Sequence, residues 1–328
     1  MRSERAHWND IAKERLLEMG AGSPGWGYQP STSPAVEPTS LAALGLLASG
    51  CERSGSRGLR RARAAATWMI SLQRTDGSLG VSAELGLPGW ATPYALLLWA
   101  ALGAFSSQRQ RAVRWLLGQR GTTKSGLADG VIGHDTTLAG WPWVSGTHSW
   151  LEPTAVSVMA LRREGFGRHP RVLEGIQLIR DRAIAEGGWN YGNSVVFGKT
   201  LRPQPGPTGL ALLALAGVDG AGASAAPAVQ YLQTALPEIR SPLSLAWGLL
   251  GLRAWQADVP EAENWLAEAA GPALAAQADS SLGLLLLAAG RKSLELLGIP
   301  MAPVVRKRAL PERALAVPEA PRGGEHGR

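Results

Sequence analysis

Two hydrophobic patterns alternating six times along the chain predict an all-α fold, an α/α toroid of about six helical hairpins in one domain over residues 1–299. In the first pattern apolar residues recur at helical spacing and leave one wet face, as in Leu59, Ala62, Ala66, Met69 and Ile70. In the second, residues 41–47 and 210–216 offer no polar stripe and must be covered on every side. A third observation is a recurrent opening of the apolar segments: Glu37-Pro38-Thr39, Ala91-Thr92-Pro93-Tyr94, Glu152-Pro153-Thr154, Gly206-Pro207-Thr208 and Ser241-Pro242. Proline fits a first helical turn, where its fixed φ and missing N–H cost nothing. An inner ring of apolar helices wrapped by amphipathic ones satisfies both patterns, and no end repeat shows the polar cap an open solenoid needs.

The first hairpin pairs an outer helix near 8–19 with an inner helix near 37–49, through Gly25-Trp26-Gly27-Tyr28. The second runs 57–73 and 91–104, and the third 107–119 and 152–163. The fourth runs 170–186 and 206–217, through Gly188-Trp189-Asn190-Tyr191-Gly192; the last two are 224–236 with 241–256 and 260–271 with 279–289. Gly50, Gly103, Gly165, Gly217 and Gly290 stand as stop signals. From residue 300 to 328, Pro, Arg, Glu and Gly dominate without period, which predicts a disordered basic tail.

Composition narrows the function classes. A single cysteine, Cys51, excludes an internal disulfide and any zinc site built on two thiolates, and neither metal nor cofactor is expected. No apolar run reaches the ~20 residues of a spanning helix. The charged start lacks the apolar region of a signal peptide, so the expected location is the cytoplasm. Much of the +7 charge sits in residues 57–63 and in the tail, which favours peripheral contact with an anionic membrane surface over nucleic acid. Nothing in the sequence sets the oligomeric state.

All outer-to-inner loops belong at one end of the ring, since every hairpin runs the same way. The longest, 120–151, holds His134, Asp135, Trp141, Trp143, His148 and Trp150, and loops of this length are usually functional or disordered. We expect it to fold over the mouth and set what enters. Trp26, Trp90, Trp141, Trp143, Trp150, Trp189 and Tyr191 should line that end, where aromatic faces stabilise cations or stack on apolar rings. Lys199 and Arg202 lie in a neighbouring loop suited to an anionic group. His134, Asp135 and His148 are acid–base candidates, with loop hydrogen bonding as their structural alternative.

The helical pairs, the Gly-Trp loops, the Gln73-Arg74-Thr75-Asp76-Gly77 stretch and the Pro-Thr openings resemble the prenyltransferase and squalene-oxidase repeat of squalene-hopene cyclases and related terpene cyclases. The resemblance covers roughly residues 20–290. It implies an α/α toroid that acts on a polyisoprenoid or related apolar lipid and protonates it with the central Asp of an Asp-x-Asp-Asp-Thr-Ala motif. With Thr154-Ala155 on the motif's Thr-Ala, Glu152 stands at the proton-donor position, while Trp150 and Pro153 replace the two supporting Asp. Glu37 repeats the Glu-Pro-Thr context, and Leu79 stands where the repeat's Trp is expected. Protein prenyltransferase β subunits share the fold, but Cys51 lies outside the context of their zinc site.

For both glutamates the helix N-terminus lowers the pKa while desolvation raises it, and burial decides the outcome. Three readings stand at this point: a terpene cyclase-like isomerase or lyase with Glu152 as acid, a non-catalytic toroid binding a lipid, glycan or protein, and a carbohydrate-active barrel pairing Glu152 with Glu37 or Asp135.

Overall fold

A computed structural model describes residues 2–19, 22–30, 32–51, 55–125, 132–257 and 259–302. The six outer helices are α1 (Arg2–Met19), α3 (Arg57–Leu72), α5 (Ser106–Gly118), α7 (Pro170–Asp181), α9 (Gly222–Ala235) and α11 (Ala262–Ala275). The six inner helices are α2 (Val36–Leu46), α4 (Thr92–Ala101), α6 (Leu151–Arg163), α8 (Pro205–Leu215), α10 (Pro242–Ala254) and α12 (Asp279–Ala289). A short α13 (Ser293–Leu297) follows. Each inner helix packs on the inner helix of the next hairpin, and α12 packs on α2, so the ring closes. Every outer helix contacts two inner ones, which covers the all-apolar faces that the sequence demanded be covered.

Two of the inner contacts are far tighter than the rest. A Cβ on Gly45 of α2 would run into the Gly283 carbonyl of α12, and one on Gly209 of α8 into the Trp247 carbonyl of α10. Backbone therefore lies directly on backbone at both crossings, which only glycine permits. Expected and observed helices agree closely, except that the first outer helix starts at Arg2 rather than 8 and the fourth ends at Asp181 rather than 186. Gly50, Gly103, Gly165 and Gly217 adopt left-handed φ as stop signals should. Gly290 does not: its φ is −66°, and its need for glycine is the close approach of Ala48 and Ser293.

A two-stranded hairpin, β1 (Val195–Val196) with β2 (Lys199–Thr200), is the only strand pair among the described residues. Most of the expected tail, from 303 on, lies outside them. Ala302 is still packed, its N–H bonded to the Ala254 carbonyl. No described helix is long and apolar enough to cross a membrane.

Candidate active site

The Pro-Thr openings build the wall of the mouth. Thr39, Thr92, Thr154 and Thr208 stand in the first turn or two of α2, α4, α6 and α8, fully buried. Each hydroxyl accepts the N–H of one loop residue and donates to its carbonyl. The partners are Trp26 at 2.9 and 3.0 Å, Leu79 at 3.0 and 3.3 Å, Trp141 at 2.9 and 3.4 Å, and Trp189 at 2.9 and 3.1 Å. A buried backbone pair is thus satisfied by one side chain, and each loop is fixed to the helix it precedes.

The indole N–H groups of Trp26, Trp141 and Trp189 turn outward to the Leu16, Leu116 and Ile179 carbonyls on α1, α5 and α7. The Arg61 and Arg171 guanidiniums cover the Trp26 and Trp141 rings at 4.0 and 3.7 Å. These three tryptophans, expected at the mouth, sit in the wall, where the donor on an otherwise apolar ring finds a last-turn carbonyl of an outer helix. Leu79 fills the corresponding slot in the second hairpin, buried and without a polar end.

Trp90, Trp143 and Trp150 are half-buried. Trp90 meets Tyr94 and Trp143 edge-on, with centroids 6.0 and 5.0 Å apart. Trp150 lies against His148 at 4.5 Å and against Gly192.

Glu37 and Glu152 occupy the first turns of α2 and α6, the two neighbours of α4 in the ring. Tyr94, on the first turn of α4 and only 2% exposed, donates to Glu152 Oε1 at 3.2 Å. Tyr28 donates to Glu37 Oε2 at 2.7 Å. No arginine or lysine contributes to the shifts of either carboxyl. Burial dominates, pushing each carboxyl up to about 7 against the lowering by tyrosine hydrogen bonds, and Glu37 pushes Glu152 further up. Burial therefore wins the contest with the helix N-terminus. Both phenols are pushed well above their ordinary value by burial and by these carboxylates, so they remain donors.

The histidine loop goes elsewhere. Gly133 N–H bonds the Val195 carbonyl, Ile132 bridges to Val196, and Asp135 N–H bonds the Asp181 carboxylate. Residues 132–135 thus lie against the end of α7 and the hairpin, whereas Trp143 and Val144 pair with Trp90 and Gly89 ahead of α4. Asp135 caps its own turn through Thr137, and burial near Arg182 lowers His134 to about 4. Neither acts on Glu152, whose shift comes from burial, Glu37 and Tyr94 alone. His148, Lys199 and Arg202 are exposed. Tyr191 offers its carbonyl to Leu151 N–H while its side chain points partly to solvent. No group of three or more His, Cys, Asp or Glu among the described residues is placed to hold a metal ion.

Tyr28 and Tyr94 were not singled out from sequence, although both stand in the quoted motifs. Two of only four tyrosines fall on the two glutamates.

No family model matches the chain. No curated protein matches it either. Solved structures do match in fold. The type II terpene cyclase MstE from Scytonema, in complex with geranylgeranyl dihydroxybenzoate, aligns over 83% of this chain and 78% of its own at 19% identity and TM-score 0.54. An apo form of a variant of the same cyclase aligns over 85% and 80%, at 18% identity and TM-score 0.56. A protein from Actinoplanes aligns over 81% and 79%, at 18% identity and TM-score 0.55. The chain shares the all-α toroid of type II terpene cyclases.

Proposed function

We propose that the protein is a terpene cyclase-like isomerase or lyase that protonates a polyisoprenoid, with Glu152 as the acid. The observation that carries this reading is the Glu152 carboxyl in the first turn of α6, hydrogen-bonded by the buried Tyr94, whose ring meets Trp90 edge-on; burial pushes that carboxyl up to about 7. A general acid works best with its pKa near the working pH. Proton transfer from Glu152 breaks its O–H bond and forms a C–H bond on one alkene carbon. The carbocation left on the other carbon is stabilised by nearby aromatic faces and is quenched when a neighbouring C–H loses its proton. In this reading Glu37 and Tyr94 serve the supporting role for which the motif's Asp residues are missing. The fold relatives' substrate, geranylgeranyl dihydroxybenzoate, supports an isoprenoid chain as the substrate class. Incubation with squalene, C15 to C20 prenyl diphosphates and geranylgeranyl dihydroxybenzoate, with product lost in Glu152→Gln, tests it.

A second reading has its own observation. Leu85, Leu87 and Phe197, each more than 60% exposed, stand on two of the outer-to-inner loops, with exposed Lys199 two residues past Phe197. Such exposed residues suit retention of a lipid, or contact with an anionic membrane surface, without chemistry. Intact lipid copurifying with the protein, with no turnover of added substrate, would decide for binding.

A further inference from the structure

We propose that residues 303–310 of this chain dock in an acid-rimmed groove between α9 and α11, holding the basic tail against one side of its own ring. The inference is independent of Glu152 and of any chemistry at the mouth. Both helices pack on α10. Between them lies a groove of about 430 Å³, lined by Gln233 of α9, Pro237 in the turn that follows, Leu252 of α10, Val259 and Glu261 ahead of α11, and Trp265 within it. Its floor is mostly apolar, and its volume falls in the ~300–1,000 Å³ range of ligand clefts. Glu261 lines it and Glu238 follows Pro237; both are exposed, and among the described residues neither has an ion-pair partner.

Charge and chain path select the occupant. Residues 205–289, which include α9 to α12, carry seven acidic and two basic residues, whereas residues 57–124, which include α3 and α5 across the ring, carry two acidic and ten basic. A cationic segment is therefore drawn to the first side and repelled by the second. Within the first, Arg240 is bonded to Glu268 and to the Pro237 and Ile239 carbonyls, and Arg253 to the Gly290 carbonyl. Residues 303–310 hold Arg306, Lys307 and Arg308 with no acid, flanked by Val304, Val305 and Leu310. Three cations suit an acidic edge, and apolar flanks suit an apolar floor.

The described chain also leads there. Ala302 is fully buried; its N–H donates to the Ala254 carbonyl at 2.8 Å, and the Gln256 side-chain amide donates to the Ala302 carbonyl. Ala254 is two residues beyond Leu252, so the next eight residues start beside the part of the groove that α10 lines. Extended, they reach ~26 Å at ~3.3 Å each, against ~21 Å for the 14 residues of α11. Exposed ion pairs are individually weak, and the short tether compensates with a local concentration on the order of millimolar.

The test is cleavage of the full chain at Lys307 by a lysine-specific protease, timed by mass spectrometry against a free peptide of residues 303–328. Docking should make the chain about tenfold slower than the peptide, the protection that a millimolar local concentration gives a contact of ~0.1 mM affinity. Glu238→Gln with Glu261→Gln, or salt at about 1 M, where the screening length is ~3 Å, should remove most of that protection. Glu186→Gln, at an exposed acid ahead of α8, should not. A second readout leaves the groove intact: Arg306→Gln, Lys307→Gln and Arg308→Gln together should shift the Trp265 indole N–H resonance, assigned by Trp265→Phe. Equal cleavage of chain and peptide, or an unmoved Trp265 resonance, would overturn the docking. Protection that rises with protein concentration would put the tail of a second copy in the groove and overturn the intramolecular form.

Discussion

Tyr94 donates its hydroxyl to Glu152 across the junction of α4 and α6, at 3.2 Å. A buried phenol is thereby satisfied by a buried carboxyl from another hairpin. Burial holds both carboxyls well above the ordinary value of 4.5.

Stability should therefore fall as pH rises. Below about 4.5 both the folded and unfolded forms of these carboxyls are protonated; between 4.5 and about 7 the unfolded chain ionises while the folded one keeps its protons. At ~1.4 kcal/mol per pH unit, the loss for one carboxyl is on the order of 3 kcal/mol. Glu152→Gln should raise Tm by several degrees at pH 8.5 and change it little at pH 4.5. Equal differences at both pH values would refute the assignment.

Thr154→Val keeps shape and removes the hydroxyl that binds both backbone groups of Trp141. The Trp141 carbonyl keeps the Trp150 N–H, but leaving the Trp141 N–H buried and unpaired should cost about 1–3 kcal/mol, read as a lower urea midpoint. Thr67→Val, at an exposed site on α3 where the hydroxyl bonds only the Arg63 carbonyl, should change the midpoint far less.

The tight crossings can be probed through glycine. Gly209→Ala should be strongly destabilising, since the new methyl meets the Trp247 backbone. Gly118→Ala, in the last turn of α5 with nothing within 4 Å of the new carbon, should stabilise by roughly 0.5–1 kcal/mol. Chemical denaturation of both variants checks the pair, and equal effects would contradict backbone contact between α8 and α10.

Lys124 N–H bonds the Thr136 carbonyl, so the chain is already closed on itself there. Replacing 125–135 with a Gly-Gly bridge should retain cooperative melting and leave the Glu152 midpoint unmoved, although His134 and Asp135 are lost. A shifted midpoint would bring that loop into the site.

The ring was legible because an all-apolar helix and a one-faced helix can be told apart by period, and neither is stable without the other. The Pro-Thr openings marked helix starts correctly, but the threonine's second task, fixing a loop residue 13 or 19 positions upstream, needs the fold to be seen. Trp26, Trp141 and Trp189 were grouped with the mouth because a tryptophan's side depends on where its N–H finds a carbonyl, which composition does not encode. Glu37 and Glu152 were each visible as helix openers. Their convergence was not, because it depends on α4 standing between α2 and α6 and on a tyrosine two residues past Thr92.

The most direct test of Glu152 as the acid is a product assay with squalene and geranylgeranyl dihydroxybenzoate across pH. Wild-type protein should form cyclised product at a rate that declines as pH rises through about 7, the range where Glu152 gives up its proton, and Glu152→Gln should form at least 100-fold less, in line with the ~10²–10⁴ of a positioned acid. Product formation undiminished in Glu152→Gln, or rising through the same pH range, would contradict it.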